Sequence, residues 1–457
     1  MAALLAAVST SCKKDEKTPA WFTNAKTNFK NGRFVPTVQD MLPASVLETN
    51  TATKASAAYT RAGEATLQFA NLKGNCWGGL TLILRDIENM RQMMEECKQS
   101  VLSAFERIAP TEMGVWTDNP HGGESVKYEE NANGGKFIYR KYVAGDATIS
   151  IVIDSKLSMY SDGSTEIYYS HQESVGYSRK LYSYFKGDKF IGIDCQPQTG
   201  YNNGRMYSID VQNGKKRGKS IGFNTESSTD SFGVMEFEGD EQDATVRWLS
   251  AEGNAGNSTP TTTGLSAYGV IDGIPYGATW KNNVLQESRQ DIRMFANIKE
   301  ITFRYWDSRP VDQYGIGELI GSVCGIKLTN NAVISESDYN DWGRFWLFVS
   351  AAYEKLDEYN WEPKKTGGIY CDFLMFTASD QTESPQTALP PALSGLQYKS
   401  GFNNLYTNLK SSTQAYFSSN YRITDIPQLA NVPINYANIL AIRDALLGHI
   451  ETHHTGF

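Results

Sequence analysis

Residues 205–223 read RMYSIDVQNGKKRGKSIGF, and this stretch decides the fold class. Two short runs, Arg205 to Val211 and Ser220 to Phe223, alternate apolar with polar side chains around Asn213-Gly214. Alternation at period two marks a strand with one buried face. Asn-Gly is the dipeptide of a type I′ turn, whose twist matches that of two antiparallel strands. The stretch is therefore a β-hairpin.

The same grammar extends in both directions. Strands are expected at Tyr139 to Val143, Thr148 to Ile153, Thr165 to Tyr169, Tyr182 to Phe185 and Phe190 to Ile193. Gly233 to Phe237 and Ala244 to Leu249 follow the hairpin. Turn signals separate them at Asp162-Gly163, Gly187-Asp188, Asn203-Gly204, Asn213-Gly214 and Gly239-Asp240. Strands joined by such short turns must be antiparallel neighbours, which makes a meander. Ser250 to Gly264, rich in Gly, Ser, Thr and Asn, reads as a loop. The meander is expected to resume at Ala267 to Tyr276 and to end with Glu300 to Trp306.

A meander needs something apolar to cover a face. Ile83, Ile87, Met90, Met94, Cys97, Val101, Ala104 and Ile108 repeat in steps of four and three, with Asp86, Glu88, Arg91, Glu95, Glu96 and Lys98 between them. This spacing predicts an amphipathic helix over 80–108, bounded by Gly78-Gly79 and Pro110. Met, Cys and Ala fill seam positions where a zipper would want Leu and Ile. The helix is therefore expected to lie on the sheet of its own chain. Met41 to Leu72 is expected to be helical in part.

After about residue 307 the pattern turns helical. Ser337 can cap a helix running to about Tyr359, with Trp342, Phe345, Trp346, Val349, Ala352, Tyr353 and Leu356 on one face. Ile369 to Phe376 is a buried strand or a short helix, and helices are expected at 402–417 and 435–452. The fold class is α+β: a long amphipathic helix packed on an antiparallel meander, a curved sheet or half-barrel, followed by a helical C-terminal region. Four stretches result: 1–20 as signal remnant, lipidation site and tether; 21–110 as a helical segment; 111–306 as the meander; 307–457 as a mainly helical region.

The 457 residues exceed one ordinary core. With 40% hydrophobic and 21% charged residues the chain is globular. Its net charge of −8 argues against nucleic acid as a partner. No run of 18 apolar residues exists to span a bilayer.

The N-terminus carries the one resemblance. An apolar run, Ala2 to Val8, is followed by Ser9, Thr10, Ser11 and Cys12, then by Lys13-Lys14-Asp15-Glu16-Lys17. This segment resembles the lipobox of Gram-negative bacterial lipoproteins, with Ser9 where such sites usually carry Leu. The resemblance implies cleavage before Cys12, acylation of that residue and a lipid anchor in the outer membrane. The charged residues after Cys12 resemble the tag that exports such proteins to the cell surface, with the periplasmic face as the alternative. The basic segment that opens such leaders is expected upstream of Met1.

Candidate chemistry is sparse. The other cysteines, Cys76, Cys97, Cys195, Cys324 and Cys371, are odd in number and lack Cys-x-x-Cys spacing. Buried thiols are expected. His449 and His453 share a helix face, yet no carboxylate stands at the offset of a zinc hydrolase. His121 lies in a polar loop without a partner, and Glu238, Asp240, Glu241 and Asp243 read as a solvated turn. Between Arg179 and Lys219 nine basic residues face three acidic ones. Lys215, Lys216, Arg217 and Lys219 form the candidate binding patch at the Asn213-Gly214 turn. No metal and no cofactor are expected. The reading is a non-enzymatic envelope lipoprotein that binds or scaffolds a protein or polysaccharide through its Tyr-rich meander. The alternatives are a carrier enclosing an apolar ligand in a half-barrel, and a glycan-active enzyme with carboxylates that the sequence does not single out.

Overall fold

Tight turns between alternating strands impose a single order on the sheet. In the computed structural model, fourteen strands follow one another as nearest neighbours, each antiparallel to the last. They are β1 (Thr117–Asp118), β2 (Glu124–Asn131), β3 (Gly134–Ala144), β4 (Ser150–Tyr160), β5 (Thr165–Glu173), β6 (Ser178–Lys186) and β7 (Lys189–Gln198). β8 (Tyr201–Gln212), β9 (Lys215–Thr225), β10 (Thr229–Gly239), β11 (Ala244–Asn254), β12 (Thr262–Ile271), β13 (Ile274–Lys281) and β14 (Val284–Asp291) complete the meander. Tyr370–Thr377 then pairs with β14, and Phe345–Ser350 pairs with Tyr370–Thr377. The first and last strands do not meet, so the sheet stays open. The structure describes residues 19–46 (except 38, 39 and 41), 78–291 (except 145–149, 199 and 273), 294, 296, short strands within 301–377, and 397–457 apart from 404, 406, 407 and 456. Side chains are described from 89 in the long helix and, in the meander, up to 286.

Most turns sit where the dipeptides place them. Asn213 and Gly214 both have positive φ, 54° and 76°, as a type I′ turn requires. Asn282 and Asn283 make a second such turn, φ 49° and 68°. Asn203-Gly204 does not turn. It lies inside β8, and Gly204 is small because the Phe223 ring occupies the place of its side chain, 2.2 Å from where a Cβ would stand.

Directly opposed residues share a face, so the register sorts the sheet into two surfaces. One surface carries Ile193, Met206, Ile221, Val234 and Leu265, fully or nearly buried. The C-terminal segment covers it. Helix α4 (Ile439–Thr452) lays Ile442, Leu446 and Ile450, all at 0% exposure, over β6 to β8. We call this the C face.

The N-terminal segment covers the other surface, the N face. Helix α1 (Ala20–Asn31) and helix α2 (Gly78–Arg107) contribute Phe22, Phe29, Met90, Met94, Val101 and Phe105 to one core with Phe137, Leu157, Ile167 and Phe190. Phe137 is stacked between Phe29 and Phe105, with ring centroids 4.4 and 4.2 Å apart. The seam of α2 is buried at Met90, Met94, Cys97, Val101, Ala104 and Ile108, as its spacing predicts. At 30 residues α2 is about 45 Å long. Among the described residues no helix is long and apolar enough to cross a membrane.

Several expectations are corrected. Ser250 to Gly264 is not a long loop: it contains the ends of β11 and β12. Ala267 to Tyr276 is two strands meeting near Asp272, whose φ is 51°. Ile301–Tyr305 does not end the meander but pairs with Val323–Leu328 in a separate sheet. The helix expected over 337–359 is replaced by strands Phe345–Ser350 and Tyr353–Lys355. Aromatic and β-branched residues favour a pleated, half-buried surface, and pairing with Tyr370–Thr377 overrides the helical spacing. The C-terminal helices shorten to α3 (Leu409–Tyr416) and α4. Residues 47–72 of the expected Met41–Leu72 segment lie outside the described residues.

Candidate functional site

Among the described residues the N-terminal cover is partial. Beyond β7, the rows of the N face nearest the β10–β11 turn share a core with Phe34, Val35 and Leu42, and the Ser45 amide and hydroxyl donate to the carbonyls of Asp240 and Asp243. Toward the other ends of the strands the face opens into a groove of about 700 Å³.

The register gives its plan. A central row crosses the sheet as Arg205, Gly222, Gly233, Ser250, Gly264 and Lys281, each opposite the next. One flank is Asn203, Asn224, Ser231, Glu252 and Thr262; the other is Tyr207, Ser220, Met235, Trp248, Ser266 and Thr279. Flanking rows stand two residues from the centre, so their backbones are about 14 Å apart. Crossing six strands gives a length of about 24 Å. Small residues in the middle and larger ones at both sides make a trough.

Gly222 is the informative position. Glycine inside a strand costs stability, and one usually marks a close approach. Gly192 is crowded by Met90, Gly204 by Phe223, Gly218 by Phe237 and Gly269 by Tyr276. A Cβ at Gly222 would meet nothing within 4 Å, which holds for no other glycine described within the strands of the meander. Among the described residues the space above it is open. At Gly233 the indole Nε1 of Trp248 lies 3.2 Å from where a Cβ would be, so this ring lies down over the floor. Asn224 donates from Nδ2 to Glu226 at 2.8 Å, while its buried Oδ1 has no hydrogen-bond partner.

The residues singled out from the sequence fall elsewhere. Lys215, Lys216, Arg217 and Lys219 lie on β9, beside the acidic turn that follows β10. Lys215 is 3.8 Å from Asp240, Arg217 is 3.0 Å from Glu238, and Lys219 is 3.0 Å from Asp425. The basic patch and the acidic turn thus tie neighbouring hairpins together, and Lys219 reaches the C-terminal segment. Cys12 lies outside the described residues. Cys97 and Cys195 are buried free thiols, and burial pushes Cys97 up to about 12. The side chains of Cys76, Cys324 and Cys371 lie outside the description. Among the described residues few tyrosines are exposed: Tyr142 is 52% and Tyr416 39% open, whereas Tyr128, Tyr139, Tyr168, Tyr182, Tyr207, Tyr268 and Tyr276 are buried.

The C-terminal histidines form a clasp on the C face. The Lys156 ammonium donates to the carbonyls of His453 and Thr455, at 2.5 and 3.0 Å. Burial holds this lysine down to about 8. His453 stacks on Tyr182 at 4.1 Å, and His449 Nδ1 lies 2.9 Å from Gln428 Oε1. Burial, then the neighbouring His453, holds His449 down to about 4. No group of three or more His, Cys, Asp or Glu able to hold a metal occurs among the described residues.

Two other polar clusters serve the fold. Between α2 and β3 to β5, a groove of about 810 Å³ contains Glu124, which accepts from Tyr139 at 3.0 Å and Arg107 at 3.1 Å. Burial pushes Glu124 up, but these hydrogen bonds outweigh it and hold the carboxyl below its usual range. Glu236 is buried under α3, accepts from Tyr416 and Tyr421, and is raised by burial.

The trough was absent from the sequence reading, although its trace is there. Ser220, Gly222 and Asn224 alternate with Ile221 and Phe223, and Ser231 and Gly233 with Phe232 and Val234. The apolar half of that alternation identifies the strands; the small polar half is the trough. Comparison with protein-family models, with curated proteins and with solved structures finds no match to this chain.

Proposed function

We propose that this protein is a non-enzymatic, lipid-anchored envelope protein that binds or scaffolds a protein or polysaccharide partner in the trough of its N face. The space above Gly222 carries the reading: a strand glycine whose place no described neighbour fills leaves room for a bound partner. The lipobox-like segment around Cys12 supports anchoring in the outer membrane, facing the cell surface. A binding role is favoured over an apolar-ligand carrier by the seam of α2. Met90 and Met94 are at 1% and 0% exposure, packed directly on strand side chains.

Gly222→Phe tests this. It should fill the trough without disturbing the fold, since an extended position with open space accepts an aromatic side chain. Immobilised full-length protein is exposed separately to polysaccharide and membrane-protein fractions from the producing cell's envelope. One fraction should be retained by the parent, and Gly222→Phe should lower its affinity at least about tenfold at unchanged melting temperature. Equal retention by both proteins, or no retention by the parent, contradicts the proposal.

A further inference from the structure

We infer that the occupant of the trough is an uncharged polysaccharide chain lying across the strands. This rests on the trough being the binding face.

The backbone of the floor is already engaged in strand pairing, so recognition falls to side chains. Those are mostly neutral groups that can both give and accept hydrogen bonds: Asn203, Asn224, Ser231 and Ser250. A sugar chain presents such groups along both edges of every ring, with C–H surfaces on its faces. Trp248, lying over Gly233, offers a flat apolar surface for one ring face while its N–H remains a donor.

Shape points the same way. A trough about 24 Å long and about 14 Å between its flanking backbones fits an extended chain, whose successive units repeat the same contacts. A protein partner is disfavoured because its interface would need a desolvated apolar centre with several large anchors. Here the large apolar residues along the groove other than Trp248, namely Tyr207, Phe223, Phe232, Met235 and Trp280, are already buried within the protein, at 2–3% exposure. A polyanion is disfavoured because Glu252 stands in one flank against the cations at the two ends of the central row.

Calorimetry on the full chain decides. The probes are neutral glucan, mannan and galactan oligosaccharides, a uronate-containing polysaccharide, and the polysaccharide and membrane-protein fractions of the producing cell. A neutral glycan should bind with an affinity that salt leaves unchanged. Trp248→Ala should weaken it about tenfold, and Gly222→Phe should abolish it at parental melting temperature. Salt-sensitive binding of the uronate polymer alone, or no glycan binding at all, overturns the inference. If a protein fraction binds instead and Gly222→Phe blocks it, the glycan fails while the trough stands as the binding face. If binding of every probe is indifferent to Gly222→Phe, both fail.

Discussion

Gly218 and Gly222 share one strand and one face, and they answer to different neighbours. A Cβ at Gly218 would sit 2.0 Å from the Phe237 ring, which is itself buried; at Gly222 it would meet nothing. Gly218→Ala should therefore destabilise by about 1–3 kcal/mol through overpacking. Gly222→Ala should stabilise by about 0.5–1 kcal/mol, since the unfolded chain loses freedom while nothing clashes. Chemical denaturation of the two variants beside the parent checks both signs. At this scale the sequence was legible only where a dipeptide has one use. Asn213-Gly214 could be read as a turn. Asn203-Gly204 could not be told from it, because the ring that explains Gly204 comes from Phe223, on the next strand.

The C-terminal histidines give a residue-scale pH dependence. His449 is held down to about 4 in the folded protein against 6.5 for a free imidazole, and His453 is lowered as well, by burial. Across that window the unfolded chain binds protons that the folded chain refuses, so stability falls as pH drops from about 6.5 toward 4. Glu166, 3.7 Å from His453, opposes the effect at that ring, whereas the Lys156 ammonium adds to it. His449→Phe should flatten this part of the melting-temperature profile while leaving the value at pH 8 nearly unchanged. A parallel profile would mean that other groups titrate there.

Among the elements, the long helix was the most legible, because its seam repeats over eight positions and its interior lacks glycine and proline. Met94 is fully buried, so Met94→Asp should cost about 4 kcal/mol by placing a charge in the core. The loss should be the same at every protein concentration. A parental melting temperature that climbs with concentration would instead indicate an oligomeric coiled coil. The opposite case is 337–359. Its aromatic residues also recur at helical spacing, yet Phe345–Ser350 lies in the sheet beside Tyr370–Thr377. Spacing records which side chains are apolar; the partner strand that decides their conformation lies more than twenty residues downstream.

For the whole molecule, the α+β class and the meander were legible from local turns, and the covering of both faces was not. The C-terminal clasp joins Lys156 to His453 across 297 residues, and no periodicity carries such a contact. Among the described residues the covers are unequal, and the trough is what the N-terminal cover leaves open. The proposed anchor belongs to this scale too. Cys12→Ala should move the protein from the membrane fraction to the soluble fraction of disrupted cells. If the mature variant stays membrane-bound, the lipid does not hold it.

Oxidative footprinting of the full-length protein, alone and with the envelope fraction that it retains, locates the contact most directly. Trp248 lies in the trough, while Tyr142 and Val175 are exposed far from it along the chain, at 52% and 61%. Bound partner should slow oxidation of Trp248 severalfold and leave Tyr142 and Val175 at their free rates. Unchanged oxidation of Trp248 under saturating partner, or protection at Tyr142 instead, would contradict binding in the trough.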